Sequence, residues 1–345
     1  MSFGGSKKPL IAPVFIPNQG CPHRCIFCNQ EKITGQSNAH VNRTFVRHVL
    51  DMAIKSVRFA SCAERQVAFY GGSFTSLPNA RMIELLEAVK PYLGAGHFQD
   101  IRVSTRPDEI DEKRLEIMKS LGVSTVELGA QSMEENVLRL SKRGHTPEHT
   151  VASFHLLKRY GFKVGIQLIP GLPGDSASVF SKTVADIVRL GPDMVRLYPA
   201  LVIRGTELAK WYKEGKYRAL TLREAIGICL ESCTRLEDRG IPVIRMGLMS
   251  SPSLLEKGQI LAGPWHTAFG FLVRSAMYQK KIEPYLPGKG RFPKIGIRLF
   301  LKDIPLIRGY KNEGLRLIEE KTGSEISYIK ADDSVSAGRI AIDVL

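Results

Sequence analysis

The feature that most restricts the fold of this chain is a regular alternation of short apolar segments with longer amphipathic ones. Strand-length segments begin at residues 10, 66, 100, 124, 163 and 194, with a possible seventh at 241, and helix-length segments lie between them. Most of these strand segments are apolar along their whole length, as expected for strands buried on both faces. Strands that alternate with helices form parallel sheets. The pattern therefore predicts an α/β fold, specifically a partial or complete TIM-like (β/α) barrel of parallel strands.

The pattern changes near residue 250 and divides the chain into three predicted regions. Residues 1–245 form the barrel domain, residues 246–293 a connecting or capping segment, and residues 294–345 a small α+β module. The segment before residue 294 is basic and rich in proline and glycine, which is typical of a loop or linker. In a barrel of this kind, functional residues lie at the carboxyl ends of the strands.

Charge and apolar content indicate the compartment and the class of partner. The 345-residue chain carries a formal net charge of +15, which favours polyanionic partners, although a merely lysine-rich enzyme would show the same excess. No apolar run reaches the roughly 18 residues of a membrane span, and the first residues lack a signal-peptide core. We therefore expect a cytoplasmic protein that does not contact membranes. Clustered thiols in that compartment indicate metal or redox chemistry.

Three of the six cysteines lie within eight residues, at Cys21, Cys25 and Cys28. The spacing C-x3-C-x2-C provides three thiolates, whereas a structural zinc site normally has four ligands. An iron–sulfur cube bound by three cysteines keeps one iron open to another ligand. The alternative is a Cys₃His zinc site in which His23 or His40 is the fourth ligand.

This spacing, with an aromatic residue before the last cysteine, resembles that of the radical S-adenosylmethionine (SAM) superfamily. The resemblance implies a 4Fe-4S cluster bound by Cys21, Cys25 and Cys28, with SAM on the open iron. One-electron cleavage of SAM would yield a 5′-deoxyadenosyl radical that abstracts hydrogen from a substrate. Phe27 would pack beside the adenine. The residue that acts on the substrate is not identified.

Further motifs resemble the catalytic subunit of Elongator over roughly residues 10–240. They are "YGGSFTSLP" at 70–78, "STRPDEI" at 104–110, "VELGAQSMEENVLRLSKRGHT" at 126–146 and "RLYPALVIRGTELAKWYKEGKYRAL" at 196–220. A weaker likeness extends to oxygen-independent coproporphyrinogen oxidase. These resemblances imply the following cofactor-binding residues: Phe27, Gly71, Gly72, Ser73, Ser104, Gln131, Arg143 and Gln167.

Several other residues have both a functional and a structural interpretation. His145 could contribute to the site or end a helix, and Arg204 could contribute or hold a loop carbonyl. His266 in "GPWHTAFG" could touch substrate, but a structural cap is the favoured interpretation. Cys229 and Cys233 lie four residues apart on a predicted helix, and core packing is the expected role.

The segment 297–344 resembles a KH domain core: a strand, a helical turn, a glycine-flanked loop, a helix ending in Thr-Gly, and two strands. The loop runs from Gly309 to Gly314, "GYKNEG", a wider spacing than the Gly-x-x-Gly that contacts nucleic-acid backbone. Basic residues at Lys280, Lys281 and upstream of residue 298 could contact phosphates.

The favoured function is a radical SAM enzyme that modifies RNA, either tRNA or rRNA, with a flavodoxin or ferredoxin as electron donor. Elongator's subunit carries a further acetyltransferase domain, which is not expected here, so its overall reaction does not carry over. A radical SAM enzyme acting on a small anionic metabolite, like coproporphyrinogen oxidase, is the alternative. The third hypothesis is a non-catalytic RNA-binding protein with a structural zinc.

Overall fold

The computed structural model describes residues 9–36, 41–249 and 251–345. These residues form two compact units. The first contains residues 9–225 and 235–265, and the second contains residues 226–234 and 266–345. The predicted division at residues 245 and 293 stays a prediction.

Seven parallel strands form the main sheet of the first unit, in the order β1-β2-β3-β4-β5-β6-β8. Their ranges are β1 (Leu10–Phe15), β2 (Arg65–Tyr70), β3 (Asp100–Thr105), β4 (Val123–Gln131), β5 (Lys163–Leu168), β6 (Met194–Leu197) and β8 (Val243–Met246). All seven coincide with predicted strand segments, including the one beginning near residue 241. The strands between the two edges are buried almost throughout, as the apolar runs predicted.

The sheet curls into a half-barrel, which confirms the predicted TIM-like fold in its partial form. Arg196 on β6 donates a hydrogen bond of 2.8 Å to the hydroxyl of Tyr70 on β2. These strands are four positions apart, and in a flat sheet they would be separated by about 19 Å. The contact is possible because both side chains lie on the concave face. Within the described part of the chain β1 and β8 are the two edge strands.

Helices connect the strands of this unit, and the middle of one of them, residues 226–234, belongs to the second unit. Their ranges are α1 (Gln30–Thr34), α2 (Arg43–Ile54), α3 (Val57–Ser61), α4 (Asn79–Gly94), α5 (Glu112–Ser120), α6 (Glu135–Leu140), α7 (Pro147–Arg159), α8 (Ala177–Leu190), α9 (Glu207–Lys213), α10 (Leu222–Glu237) and α11 (Pro252–Leu255). Helix α4 buries Met82, Leu85, Leu86 and Val89, the face that its spacing predicts. Helix α6 is shorter than the predicted helix over 133–144, because Lys142 and Gly144 adopt positive φ.

Two short elements of the first unit escape the sequence pattern. Strands β7 (Val202–Ile203) and β9 (Ile260–Ala262) form a two-stranded antiparallel sheet. They are too short for periodicity to be recognised. Leu201, Ile203 and Leu254 form a small apolar cluster there, which fixes residues 246–265 against the segment after β6.

The second unit has a three-stranded sheet in the order β11-β10-β12 and its own core. Its elements include α12 (Phe269–Ile282), β10 (Lys294–Leu299), α13 (Ile304–Arg308), α14 (Glu313–Thr322), β11 (Glu325–Ala331) and β12 (Ile340–Val344). The core comprises Tyr278, Ile282, Ile295, Ile297, Leu299, Ile307, Ile318 and Ile340. The order strand, helical turn, loop, helix, strand, strand agrees with the predicted secondary structure.

Among the described residues, the helices are all too short or too polar to cross a lipid bilayer.

Candidate cofactor-binding site

The three clustered cysteines lie on the loop that follows β1, at the carboxyl end of the parallel sheet. Cys21 is exposed, and Cys25 and Cys28 are half-buried. The loop is shaped by its backbone: the amide of Cys21 donates to the carbonyl of Asn18 at 3.3 Å, and that of Cys28 to Cys25 at 3.1 Å. The Ile26 amide donates to the Ser141 carbonyl at 3.3 Å, which ties the middle of the loop to the exit of α6.

Burial, together with the neighbouring Cys25 and Cys21, raises the pKa of the Cys28 thiol to about 12. The pKa of Cys21 is raised as well, because neighbouring atoms desolvate its thiol although the side chain reaches the surface. Both thiols are therefore protonated at neutral pH until a metal displaces the protons.

The turn after β2 packs tightly against the cysteine loop. Gly71 has φ of +91°, a conformation that favours glycine, and its carbonyl accepts a hydrogen bond of 2.9 Å from the Asn18 amide. A Cβ atom on Gly72 would collide with the carbonyl oxygens of Gln19 and Ile16. The two glycines thus let the loops after β1 and β2 lie side by side.

Ser73 turns its side chain into the protein. It is fully buried, and its Oγ lies 3.0 Å from Thr105 Oγ1 and accepts a bond of 2.7 Å from Ser76. Its amide donates to the Gln19 carbonyl at 3.0 Å. The contacts of Ser73 hold β2, β3 and the cysteine loop together.

Arg143 joins the strand scaffold to the cysteine loop. One guanidinium nitrogen lies 2.9 Å from Cys25 Sγ and another donates to the Gly129 carbonyl at 2.6 Å. The Arg143 carbonyl accepts from Arg106, which is bound in turn by both carboxylate oxygens of Asp108. Arg143 is 6% exposed, so its positive charge is held beside the thiols.

Gln131 and His145 lie at the exit of β4. Gln131 has φ of +68°, and its Oε1 is buried without a hydrogen-bond partner in the described part of the chain. Left-handed backbone is costly outside glycine, and a buried acceptor without a donor costs more. These two features together are typical of a residue whose side-chain acceptor is satisfied by a bound ligand. His145 Nε2 lies 3.2 Å from the carbonyl of Ala130, the residue before Gln131.

The side chains of Gln167 and Ser104 are hydrogen-bonded to each other. Gln167 Nε2 donates to Ser104 Oγ at 3.0 Å and to Glu127 Oε2 at 2.9 Å. Phe27 is partly buried and packs on apolar clusters that include Val202 and Leu172. The structure therefore places Ser104 and Gln167 on the concave face of the sheet, and Phe27 on the cysteine loop itself, packed against two apolar clusters.

A buried ionic cluster in the half-barrel was missed by the sequence analysis. Glu127 is 1% exposed and accepts hydrogen bonds from Arg102 at 2.7 Å and Arg196 at 2.8 Å. Burial opposes ionisation, but the guanidinium groups of Arg196 and Arg102 hold the pKa of Glu127 below its usual range. The available signal was one charged residue inside each of three apolar strand segments of a parallel sheet, where buried charge must be paired.

Other residues take structural positions. Arg204 Nε donates to the Gly258 carbonyl at 2.7 Å, and His266 Nδ1 accepts from the Ala268 amide at 3.0 Å at the start of α12. Cys229 and Cys233 are buried, as expected.

The zinc alternative gains no support from the arrangement of donors. The parts of the chain described here contain no group of three His, Cys, Asp or Glu side chains placed around one ion. His23 packs over Gly144, and His40 lies outside the described residues. Thiolates of an iron–sulfur cube bind different irons and need not converge on one point. Three thiols beside a buried arginine, with an unsatisfied acceptor at Gln131, fit a cluster with a bound organic ligand.

Comparison with known proteins finds two family profiles that match this sequence. The profile of the Radical SAM superfamily matches residues 15–187, and that of the Radical_SAM C-terminal domain matches residues 192–279. The tRNA uridine(34) acetyltransferase of Methanocaldococcus infernus is 43% identical over 129 residues, which cover 36% of this chain and 24% of that protein. Elongator complex protein 3 of Mus musculus is 37% identical over 129 residues, with the same coverage of 36% and 24%. The chain thus matches about a quarter of the length of these curated relatives.

Solved structures share the fold. Elp3 of Methanocaldococcus infernus with an N-terminal deletion superposes with a TM-score of 0.61 at 24% identity, covering 79% of this chain and 63% of that one. SuiB of Streptococcus suis, determined with bound S-adenosylmethionine, gives a TM-score of 0.50 at 14% identity, covering 76% and 55%. Neither family profile extends to residues 280–345, so the KH resemblance stays a prediction.

Proposed function

The chain belongs to the radical SAM superfamily, and from this premise we propose that it modifies RNA by means of a 4Fe-4S cluster and SAM. It is a radical SAM enzyme related to the Elp3 tRNA-modification enzymes. The observation that carries the RNA part is the 43% identity to a protein named as a tRNA uridine(34) acetyltransferase. The net charge of +15 supports it, since phosphate contacts dominate RNA affinity.

Cys21, Cys25 and Cys28 would ligate three irons of the cluster, with SAM on the fourth. When bound, the pair supplies one-electron chemistry that removes a hydrogen atom from an otherwise unreactive position of the substrate. Arg143 balances negative charge at the Cys25 thiolate from 2.9 Å, and Gln30 Nε2 lies 3.5 Å from Cys28 Sγ. Hydrogen bonds to cluster sulfurs are among the factors that set the reduction potential.

The other predicted contacts are assigned by position. Gln131 Oε1 is a buried acceptor suited to a ribose hydroxyl, and Gly71, Gly72 and Ser73 position the cysteine loop. Phe27 supplies apolar surface, and Ser104 and Gln167 supply polar groups on the concave face of the sheet. Reducing equivalents would come from a flavodoxin or ferredoxin, as the family resemblance implies.

The proposal is tested by mass spectrometry of tRNA and rRNA nucleosides from cells with the gene, without it, and with Cys25→Ala in its place. We expect one modified nucleoside to disappear in the deletion and in Cys25→Ala, and to return with the wild-type gene. Identical nucleoside profiles in all strains, together with no binding of purified protein to tRNA or rRNA at low salt, would refute an RNA substrate.

A further inference from the structure

The concave face of the half-barrel carries more positive than negative charge around Glu127. This carboxylate is bonded by both Arg102 and Arg196, at 2.7 and 2.8 Å. Tyr70 donates its hydroxyl to the same carboxylate at 3.2 Å. Glu127 therefore has its acceptors occupied and cannot neutralise a further cation in this cluster.

Arg245 adds such a cation. It lies on β8 directly beside Arg196 on β6, as its partner in the parallel register. Residues in register on neighbouring strands lie about 5 Å apart, and like charges at such positions repel. Arg245 is half-buried, and within the residues that the structure describes its guanidinium makes no hydrogen bond or ion pair. It lies close enough to influence the Tyr198 hydroxyl electrostatically.

Tyr198 has a hydrogen to donate. Its hydroxyl accepts a bond of 3.0 Å from Arg196 Nη1, which leaves the phenolic hydrogen for another acceptor. Among the described residues, a guanidinium and a hydroxyl hydrogen that both lack an acceptor thus lie at the ends of β6 and β8.

Arg245 lies at one side of the half-barrel. β8 is an edge strand of the seven-stranded sheet, so within the described residues no further strand of that sheet pairs with it on the side away from β6. Arg245 is the penultimate residue of β8, at the carboxyl end of the sheet where the loop after β1 carries the cysteines.

We propose that Arg245 and Tyr198 form a subsite for an oxyanion of the substrate, and that this group is a backbone phosphate next to the reacting nucleotide. The assignment to phosphate rests on the proposed RNA substrate, but the oxyanion site itself does not. Arginine suits this task because its planar N–H fork binds phosphate or carboxylate with two hydrogen bonds. Glu127 holds Arg196 beneath the subsite and keeps its guanidinium turned toward Tyr198.

The test is a titration of the full chain with inorganic phosphate. Binding is measured by isothermal titration calorimetry, at constant ionic strength and without SAM. The variants are Arg245→Gln, Arg245→Lys and Tyr198→Phe. Arg189→Gln is the matched control, because that side chain is 79% exposed and paired with Asp186 on the outer helix α8. We expect about a tenfold loss of affinity in Arg245→Gln, smaller losses in Arg245→Lys and Tyr198→Phe, and no change in Arg189→Gln.

Equal phosphate affinity in all variants, or no binding by the wild type, would overturn the subsite. Titration with acetate distinguishes a phosphate from a carboxylate as the bound oxyanion. If acetate binds in preference to phosphate and its affinity falls in the same variants, the subsite is supported and its ligand is a carboxylate. Unfolding midpoints of the variants show whether the fold is retained. The titration contains no SAM, so its result does not depend on SAM cleavage. A wild type that fails to cleave SAM in a separate assay would refute the proposed function and leave the oxyanion subsite standing.

Discussion

At the residue scale, Arg143 links the strand scaffold most directly to the cysteine loop. Its guanidinium is anchored on Gly129 and its backbone carbonyl on Arg106, so its place beside Cys25 does not depend on the thiol alone. Sequence resemblance implied that this residue binds SAM. The contact at 2.9 Å adds a second task, stabilisation of negative charge on Cys25.

We expect Arg143→Gln to make the cluster harder to reduce, because reduction adds negative charge beside a lost cation. A loss of about 1.4 kcal/mol of differential stabilisation lowers a one-electron potential by about 60 mV. Spectroelectrochemistry of the reconstituted protein measures this, with Arg143→Lys as the variant that keeps the charge. An unchanged potential in Arg143→Gln would show that the contact with Cys25 is not retained.

The buried ionic cluster makes a second prediction at this scale. Glu127→Gln leaves the guanidinium groups of Arg102 and Arg196 without their carboxylate, and breaking a buried pair from one side costs about 3–5 kcal/mol. Urea unfolding measures the loss. Glu112→Gln is the control, since Glu112 and Arg159 form a largely exposed pair whose loss costs about 1 kcal/mol or less. Equal losses of unfolding free energy in the two variants would contradict the interpretation that Glu127 pairs with both buried arginines.

His145 makes the stability of the fold depend on pH. Burial, with the nearby charge of Arg143, lowers the pKa of His145 from 6.5 to about 3. The unfolded chain therefore binds this proton more readily, and stability falls as the pH drops below 6.5 toward 3. The contribution is about 1.4 kcal/mol per pH unit.

The free energy of unfolding at pH 6.5 and 4.5 should therefore differ less in His145→Gln than in the wild type. His48→Gln, on the exposed face of α2, should leave the difference unchanged. Carboxylates titrate in the same range, so the comparison between variants isolates the histidine. The same pH dependence in all three proteins would contradict a buried neutral His145.

At the scale of elements, the loops after β1 and β2 hold the cysteines in place by close packing. Gly72 is necessary because the carbonyl oxygens of Gln19 and Ile16 fill the space of a side chain. Gly94, at the end of α4, has open space around its Cβ position.

The two glycines should respond in opposite directions to substitution by alanine. Gly72→Ala should destabilise the chain by about 1–3 kcal/mol and lower the iron content after reconstitution, because the cysteine loop must move away from β2. Gly94→Ala should be neutral or stabilise by up to about 1 kcal/mol. Thermal unfolding and iron analysis of both variants test this; unaltered iron content in Gly72→Ala would separate loop packing from cluster binding.

The elements and the cysteine loop were predictable because each depends on local sequence. The seven strands are mostly apolar segments, and the three cysteines lie within eight residues of the chain. The Arg143–Cys25 contact joins residues 118 positions apart, and Arg196 and Tyr70 are 126 apart, so periodicity could not pair them. Strands β7 and β9 were missed because two or three residues carry no period.

At the scale of the whole molecule, the chain combines a half-barrel unit with a second unit built on β10, β11 and β12. The radical SAM assignment rests on the first unit, where the family profile lies. The RNA proposal draws on relatives matched over 36% of this chain and on total charge. Sequence reasoning identified the second unit's order of elements, but its nucleic-acid role stays a prediction.

The central claim is that three thiolates bind a cluster that activates SAM. Its most direct test is formation of 5′-deoxyadenosine from SAM and dithionite after anaerobic reconstitution, measured for the wild type, Cys25→Ala and Cys62→Ala. We predict product from the wild type and from Cys62→Ala, with none above background from Cys25→Ala. Product formation that survives in Cys25→Ala, or a wild type that binds iron yet yields no 5′-deoxyadenosine, would contradict the account.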